Sequence, residues 1–132
     1  MTFKKRFLGV LNRTLNPITA RVARSGRGPF SLIRHVGRKS GATFETPVIL
    51  AETRDGFVAE LTYGADVNWY RNIVAAGGCV VVHRRREYRV VGIERLDPEA
   101  GLRAFGGARA VVLRILRRQE FRLLRTELPL DR

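Results

Sequence analysis

A short basic turn, Gly37-Arg38-Lys39-Ser40-Gly41, separates two runs rich in β-formers, residues 30–36 and 43–51. Glycine accepts positive φ and lets a ligand approach the backbone closely, so the two glycines suit a tight turn between two strands. Arg38 and Lys39 carry charge-assisted donors, and Ser40 adds a neutral one. A hairpin needs no such cations. The turn is therefore typical of a site for an anionic ligand, although the same spacing also occurs by chance in unrelated basic proteins.

Further β-rich runs and helical patterns follow the turn along the chain. The predicted elements are a strand at 57–61 after Arg54-Asp55-Gly56, a helix at 67–76 capped by Asp66 and ended by Gly77-Gly78, strands at 79–84 and 88–95 around Arg85-Arg86-Glu87, a helix beginning at Asp97-Pro98-Glu99, a helix at 108–118 and a last strand at 121–127. Regular β-α-β alternation is missing from this order, which argues against a Rossmann sheet. The sequence predicts an α+β domain with a mostly antiparallel, barrel-like sheet of five or six strands.

Apolar residues near the start of the chain recur at helical spacing. They are Phe3, Phe7, Val10, Leu11 and Leu15, with lysines and arginines placed around the rest of the helix. This pattern predicts either a helix packed on the domain or a basic amphipathic helix lying on anionic lipid through residues 1–15. A second helix is predicted to begin at Asn16-Pro17 and to end at Gly26.

Length and composition predict a single domain over residues 1–132, with an N-terminal helical extension at 1–27 and a cofactor-binding barrel at 28–132. The chain is long enough for one core, and its 45% hydrophobic content excludes a disordered protein. Its single cysteine, Cys79, lies in a β-rich run and is expected to be a buried strand residue in a reducing compartment. The sequence lacks a membrane span and a signal-peptide cleavage site, so a cytoplasmic location is expected, with membrane association as the alternative.

The net charge of +13 is carried almost entirely by arginine, with 22 arginines against 3 lysines. Ten of these cations precede the first acidic residue, Glu45. A nucleic acid, an anionic membrane surface and a polyanionic small ligand are three partners that would suit such a chain. Arginine forks match phosphate and carboxylate groups somewhat better than lysine does.

Self-contained catalytic motifs have little support in this sequence. It has no Gly-x-Gly-x-x-Gly after a strand, and the basic turn lacks the upstream glycine of a P-loop. His35 and His83 have no partners at metal-ligand spacing, so no metal site is expected. No serine lies in a Gly-x-Ser-x-Gly setting. A bound organic cofactor is the natural way for such a domain to do chemistry.

Several short motifs occur in an order that resembles one known family. They are Gly37-Arg38-Lys39-Ser40-Gly41, Thr46-Pro47-Val48, Asp55-Gly56, Gly64, Trp69-Tyr70-Arg71-Asn72 and Ala75-Ala76-Gly77. Their order and spacing resemble the deazaflavin-dependent nitroreductase family over residues 30–96. The resemblance implies a split β-barrel related to the flavin reductases. It also implies coenzyme F-420, an 8-hydroxy-5-deazaflavin with a phosphate and an oligoglutamate tail, in preference to FMN.

The resemblance also implies roles for individual residues. Arg38, Lys39, Ser40 and Gly41 would hold the phosphate and the tail, Pro47 would form a wall beside the ring, Thr62, Tyr63 and Gly64 would form a loop near the ring and phosphate, and Trp69 and Asn72 would contact the far side of the ring. Trp69 has an alternative role as a core anchor with Ile73. The hydroxyls of Thr62 and Tyr63 are the candidate catalytic groups, which would stabilise charge on the acceptor or donate a proton.

The implied reaction is hydride transfer from C5 of the reduced deazaflavin to an apolar unsaturated acceptor, such as an enone, a quinone or a nitro compound. One alternative is a nucleic-acid-binding module, in which Arg84, Arg85, Arg86 and Arg89 meet phosphates and Tyr88 or Phe57 stacks on bases. This alternative is not the expected one, because the chain has no recognisable nucleic-acid motif. Another alternative is a deazaflavin-binding protein without turnover. The protein is expected to be a monomer or a homodimer.

Overall fold

The computed structural model describes residues 30–130. The predicted N-terminal helices, the lipid contact of residues 1–15 and the boundary at residue 27 lie outside this part of the chain. Between residues 30 and 130, no helix is long and apolar enough to cross a bilayer.

Within residues 30–130, six antiparallel strands close into a barrel, and three helices occupy the connections. The strands are β1 (Phe30–Val36), β2 (Thr43–Thr53), β3 (Gly56–Glu60), β4 (Cys79–His83), β5 (Arg86–Leu96) and β6 (Phe121–Thr126), and their order around the barrel is β1-β2-β3-β6-β5-β4. The helices are α1 (Asn68–Ala76), α2 (Pro98–Phe105) and α3 (Gly107–Ile115). This architecture confirms the predicted α+β fold with an antiparallel barrel.

The barrel interior is filled by one side of each strand, as the period-two alternation of strand side chains requires. Ile33, Leu50, Phe57, Val81 and Leu124 belong to this core, and α1 covers it with Ile73. A second cluster joins α2 to the barrel wall through contacts between Leu102 and Phe121. Burial of these apolar side chains is the main force that holds the barrel closed, at about 25 cal/mol per Å².

Two local predictions differ from the structure. The N-cap of α1 is Val67, which has no side-chain capping bond, so Asp66 is not the cap that the sequence suggested. The predicted end of this helix is confirmed, because Gly77 takes a left-handed φ of 74°. The β4–β5 turn is Arg84-Arg85, since His83 pairs with Arg86 and leaves a two-residue loop. Both arginines therefore have positive φ, 49° and 68°.

Candidate functional site

The basic turn between β1 and β2 is held by its own backbone. The Gly37 N–H donates to the Ala42 carbonyl at 2.8 Å, and the Gly41 N–H donates to the Gly37 carbonyl at 2.9 Å. A Cβ atom at Gly37 would lie 2.6 Å from the Ser40 Oγ, which is closer than real Cβ atoms come. Gly41 has a φ of 73°. Position 41 therefore strongly favours glycine, whereas a larger residue at position 37 would have to displace the Ser40 hydroxyl.

Arg38 is anchored to the start of α1 by two asparagines. Its backbone N–H donates to the Asn72 Oδ1 at 3.1 Å, and its Nη1 donates to the same oxygen at 2.8 Å. The Nη2 atom of Arg38 lies 3.4 Å from the Oδ1 of Asn68, the first residue of the helix. The guanidinium is thus held at the N-terminus of α1.

A buried chain of hydrogen bonds continues from Asn72 into the barrel end. The Asn72 Nδ2 donates to the His35 Nδ1 at 3.0 Å, so the hydrogen of the neutral ring resides on Nε2. That Nε2–H donates to the Thr46 Oγ1 at 2.9 Å. Burial lowers the pKa of His35 below its ordinary value of 6.5. His35 is therefore a neutral imidazole near pH 7, fixed in one tautomer by Asn72.

Several hydrogen-bond donors at the turn remain available to a ligand. The backbone N–H groups of Lys39 and Ser40 donate to no atom within residues 30–130. The Lys39 side chain is exposed, and the Ser40 hydroxyl accepts a bond from the Ala42 N–H at 3.2 Å. The N-terminus of α1 also lacks a side-chain cap, and its first turn contains no acidic residue. The turn and the helix start therefore both present positive potential at Arg38.

Apolar surface lies directly beside these donors. The Phe44 ring stacks on the His35 ring, with centroids 5.8 Å apart and an angle of 26° between the planes. Phe44 nevertheless remains 47% exposed. A planar ligand with an anionic substituent would find both an aromatic surface and hydrogen-bond donors here.

The loop of Thr62, Tyr63 and Gly64 joins β3 to the start of α1 and is tied to the segment after α3. The Thr62 Oγ1–H donates to the buried Glu60 Oε2 at 2.6 Å. Arg118 forms an ion pair with the other oxygen of Glu60, and its Nη2 donates to the Leu61 carbonyl at 2.8 Å and the Thr62 carbonyl at 3.0 Å. Tyr63 is 56% exposed, and its hydroxyl has no partner in the described part of the chain. Of the two predicted catalytic hydroxyls, that of Thr62 already donates a hydrogen bond to Glu60, whereas that of Tyr63 forms none with residues 30–130.

The remaining predicted residues occupy different positions. Trp69 packs against the barrel core that contains Ile73, as its alternative role as a core anchor required. Pro47 pairs with Leu32, one position along β2 from Thr46, so it faces the outside of the barrel while Thr46 faces His35. The structure thus brings Arg38 and Asn72 together beside Lys39 and Ser40. It places Pro47 on the side of β2 that faces away from Thr46 and His35.

The alternative nucleic-acid surface loses one of its stacking residues. Phe57 is fully buried in the barrel, where it contacts the half-buried Tyr88 edge to face, so Phe57 has no face for a base. The proposed stacking role of Phe57 is therefore wrong. The arginines at the β4–β5 turn are exposed.

Two open cavities lie away from the predicted cofactor residues. One, of about 640 Å³, is lined by residues of β2 and α2 together with Leu130. The other, of about 700 Å³, lies between the end of α1 and β5 and includes Cys79. Burial raises the pKa of Cys79 to about 12, so its thiol stays protonated and is a poor nucleophile. Within residues 30–130, no group of three or more His, Cys, Asp or Glu side chains could hold a metal ion.

Sequence reasoning missed four residues that organise the site. They are His35, Thr46, Glu60 and Arg118. The period-two pattern of β1 could have placed His35 on the inner face, because it lies two positions from the apolar Ile33. Thr46 pairs with Ile33 and therefore shares that face. Arg118 lies 58 residues from Glu60, and no local pattern connects the two.

The barrel is similar to several solved structures, among them the following two. An F420-H2 dependent reductase, FDR-A, matches with a TM-score of 0.57 and 18% identity, over 75% of this chain and 94% of that chain. A protein of unknown function from Agrobacterium tumefaciens matches with a TM-score of 0.52 and 20% identity, over 86% of this chain and 61% of that chain. No protein-family model and no curated protein matches the sequence. At these identities the likeness establishes the fold.

Proposed function

We propose that this protein is an oxidoreductase that uses coenzyme F-420 to reduce an apolar unsaturated small molecule. The observation that carries the proposal is the convergence at Arg38, where a guanidinium lies with the start of α1, which has no side-chain cap, and with the amides of Lys39 and Ser40, which donate to no atom of residues 30–130. Coenzyme F-420 carries a phosphate and several carboxylates, which are the groups that such donors bind. The similarity of the barrel to FDR-A supports the same cofactor class.

Each part of the cluster has a distinct task in this proposal. Lys39, the amide of Ser40 and the outer edge of Arg38 hold the anionic groups of the cofactor. Asn72 is buried and bonded at both ends of its amide, so it positions Arg38 and His35. Gly41 and Gly64 keep their predicted roles near the cofactor. Pro47 faces away from Phe44 and Trp69 packs on the barrel core, so neither is assigned a contact with the ring.

The exposed ring of Phe44 offers the deazaflavin ring a place beside the anion-binding turn. When bound, reduced F-420 supplies a hydride from C5. The acceptor also needs a proton. The exposed Tyr63 hydroxyl, which has no partner among residues 30–130, can donate it, whereas the hydroxyl hydrogen of Thr62 is directed at Glu60. Thr62 therefore holds the loop that presents Tyr63. An enone, a quinone and a nitro compound all accept a hydride and a proton in this way.

Titration of the purified protein with coenzyme F-420 and with FMN, followed by ligand fluorescence, tests the binding step. We expect F-420 to bind more tightly, because FMN lacks the oligoglutamate tail. Lys39→Ala should weaken F-420 binding by about tenfold, since one cation near a bound anion contributes about 1 to 1.5 kcal/mol. Arg89→Ala is the matched control, because Arg89 is exposed on β5 and should leave affinity unchanged.

The same titration distinguishes the alternatives. Absence of binding by either flavin at low salt would refute the proposal. A protein that binds F-420 but reduces none of the three acceptor types would be a carrier without turnover. If the protein instead binds single-stranded nucleic acid, with an affinity that falls steeply with salt, the basic module is the correct function.

A further inference from the structure

The surface of α3 carries an apolar stripe that nothing in the described part of the chain covers. No residue of α3 is buried. Its inner side rests on α2 and the barrel through the half-buried Ala110 and Leu113. The outer side and the C-cap residue Leu116 carry apolar side chains that are 53–73% exposed: Val111, Val112, Ile115 and Leu116. At 100° per residue these four side chains fall within one continuous sector of the helix.

Arginines lie next to this stripe in the sequence, with Arg109 two positions before Val111 and Arg117 directly after Leu116. Arg114 forms an ion pair with Glu99 at 3.1 Å, and Arg118 pairs with Glu60. Arg109 and Arg117 are exposed and form no ion pair with any residue from 30 to 130. The segment from 107 to 118 contains no acidic residue at all. The stripe is therefore an apolar surface with a basic border, Arg109 and Arg117, that pairs with no acidic side chain among residues 30–130.

We infer that α3 is an interfacial helix, which lays Val111, Val112, Ile115 and Leu116 on an anionic lipid surface while Arg109 and Arg117 contact lipid phosphates. Apolar side chains gain by entering the boundary between headgroups and acyl chains, and each nearby arginine adds about 1 kcal/mol on an anionic leaflet. This inference concerns a segment other than residues 1–15. It does not depend on the proposed reductase function.

Charge complementarity favours lipid over two other occupants of the stripe. A second copy would bring like-charged arginine borders together in a protein whose net charge is already +13. Residues 1–29 contain seven lysines and arginines and no acidic residue, so that segment would also be repelled by the border. An anionic bilayer satisfies both the apolar stripe and its arginines.

Co-sedimentation of the full-length protein with vesicles tests the inference. The vesicles contain phosphatidylcholine with about one-third phosphatidylglycerol, and pure phosphatidylcholine vesicles serve for comparison. Arg109→Gln with Arg117→Gln should reduce partition to the anionic vesicles by about 25-fold, or about fivefold for each arginine. Arg71→Gln with Arg89→Gln is the matched control, because both arginines are exposed on other elements, and should change partition less than about twofold.

A second pair of variants tests the apolar stripe. Val111→Ser with Ile115→Ser should reduce partition by about tenfold or more, because two apolar side chains no longer enter the bilayer. The control is Val74→Ser with Val91→Ser, which alters residues that are 51% and 49% exposed elsewhere. The melting temperature of each variant shows that it is folded.

Three results would overturn the inference. In the first, wild-type protein does not bind anionic vesicles. In the second, both α3 variants partition like the wild type, so that another segment makes the contact. In the third, Val111→Ser with Ile115→Ser changes the oligomeric state in size-exclusion chromatography but not the partition, which would make the stripe an interface between copies.

Discussion

Replacing Asn72 with alanine should have two effects at once: it should destabilise the fold and break the hydrogen bonds that hold Arg38 against α1. The Asn72 side chain is 4% exposed and forms three hydrogen bonds. Two of them accept from Arg38, and the third donates to His35. Alanine keeps the helix but removes all three bonds at once. The turn would then lose its connection to α1, and the guanidinium would be free to leave the helix start.

The size of the effect follows from the burial of each partner. The His35 Nδ1 is deeply buried and would be left without a donor, at a cost of about 2 kcal/mol in the free energy of unfolding. Loss of the bond from the Arg38 backbone N–H would lower the free energy of unfolding by about 1 kcal/mol. Loss of the guanidinium bond would lower it by about 0.5 kcal/mol, because that group is half-exposed and water can replace Asn72 there. Alanine returns about 0.5 kcal/mol through its higher helix propensity. We expect a net loss of about 3 kcal/mol.

Urea unfolding followed by circular dichroism measures this loss. Asn68→Ala is the matched control, since Asn68 lies one turn earlier on α1, is exposed and makes a single 3.4 Å contact with Arg38. Its change should stay below about 0.5 kcal/mol. The reasoning would be refuted if Asn72→Ala lowered the free energy of unfolding no more than Asn68→Ala. F-420 affinity should also fall in Asn72→Ala, because Arg38 is no longer held in place.

Two further predictions concern His35 and Tyr63. Burial lowers the pKa of His35 in the folded protein, so between that pKa and 6.5 the unfolded chain binds more protons. Stability from this group is therefore complete above pH 6.5 and decreases as the pH falls below it. His35→Gln should show a smaller loss of stability between about pH 7.5 and about pH 5.5 in urea unfolding, and an equal loss would contradict this account. Tyr63→Phe should lower kcat by about 10- to 100-fold with little change in KM, whereas Tyr88→Phe should leave both unchanged, and full activity of Tyr63→Phe would show that solvent supplies the proton.

Local signals were sufficient for most of the barrel. The β1–β2 hairpin was predictable because glycines bound its turn and β-formers flank it, and the end of α1 was predictable because Gly77 can adopt a left-handed conformation. The β4–β5 turn was misplaced because its two residues are arginines at positive φ, where sequence statistics expect glycine or asparagine.

The buried network of the candidate site was beyond sequence reasoning for a different physical reason. Its hydrogen bonds join residues from β1, β2 and α1, including a bond between His35 and Asn72 that spans 37 positions. Such contacts depend on how α1 packs over the barrel end, and a single sequence contains no record of that packing. The charges of the turn were visible in the sequence, but the use of the Arg38 guanidinium to bind α1 was not.

Arg118 connects the two surfaces to which we assign functions. It lies just beyond α3, and it holds Glu60 and the carbonyl groups of Leu61 and Thr62. The end of α3 and the loop that presents Tyr63 are therefore fixed to each other. If α3 rests on a bilayer, this loop lies close to the lipid surface. An apolar acceptor such as a quinone concentrates in lipid, so it could reach the loop directly from the membrane. The exposed apolar stripe on α3 and the nearby Tyr63 hydroxyl, which has no hydrogen-bond partner among residues 30–130, thus give one physical reason to expect a lipid-soluble acceptor.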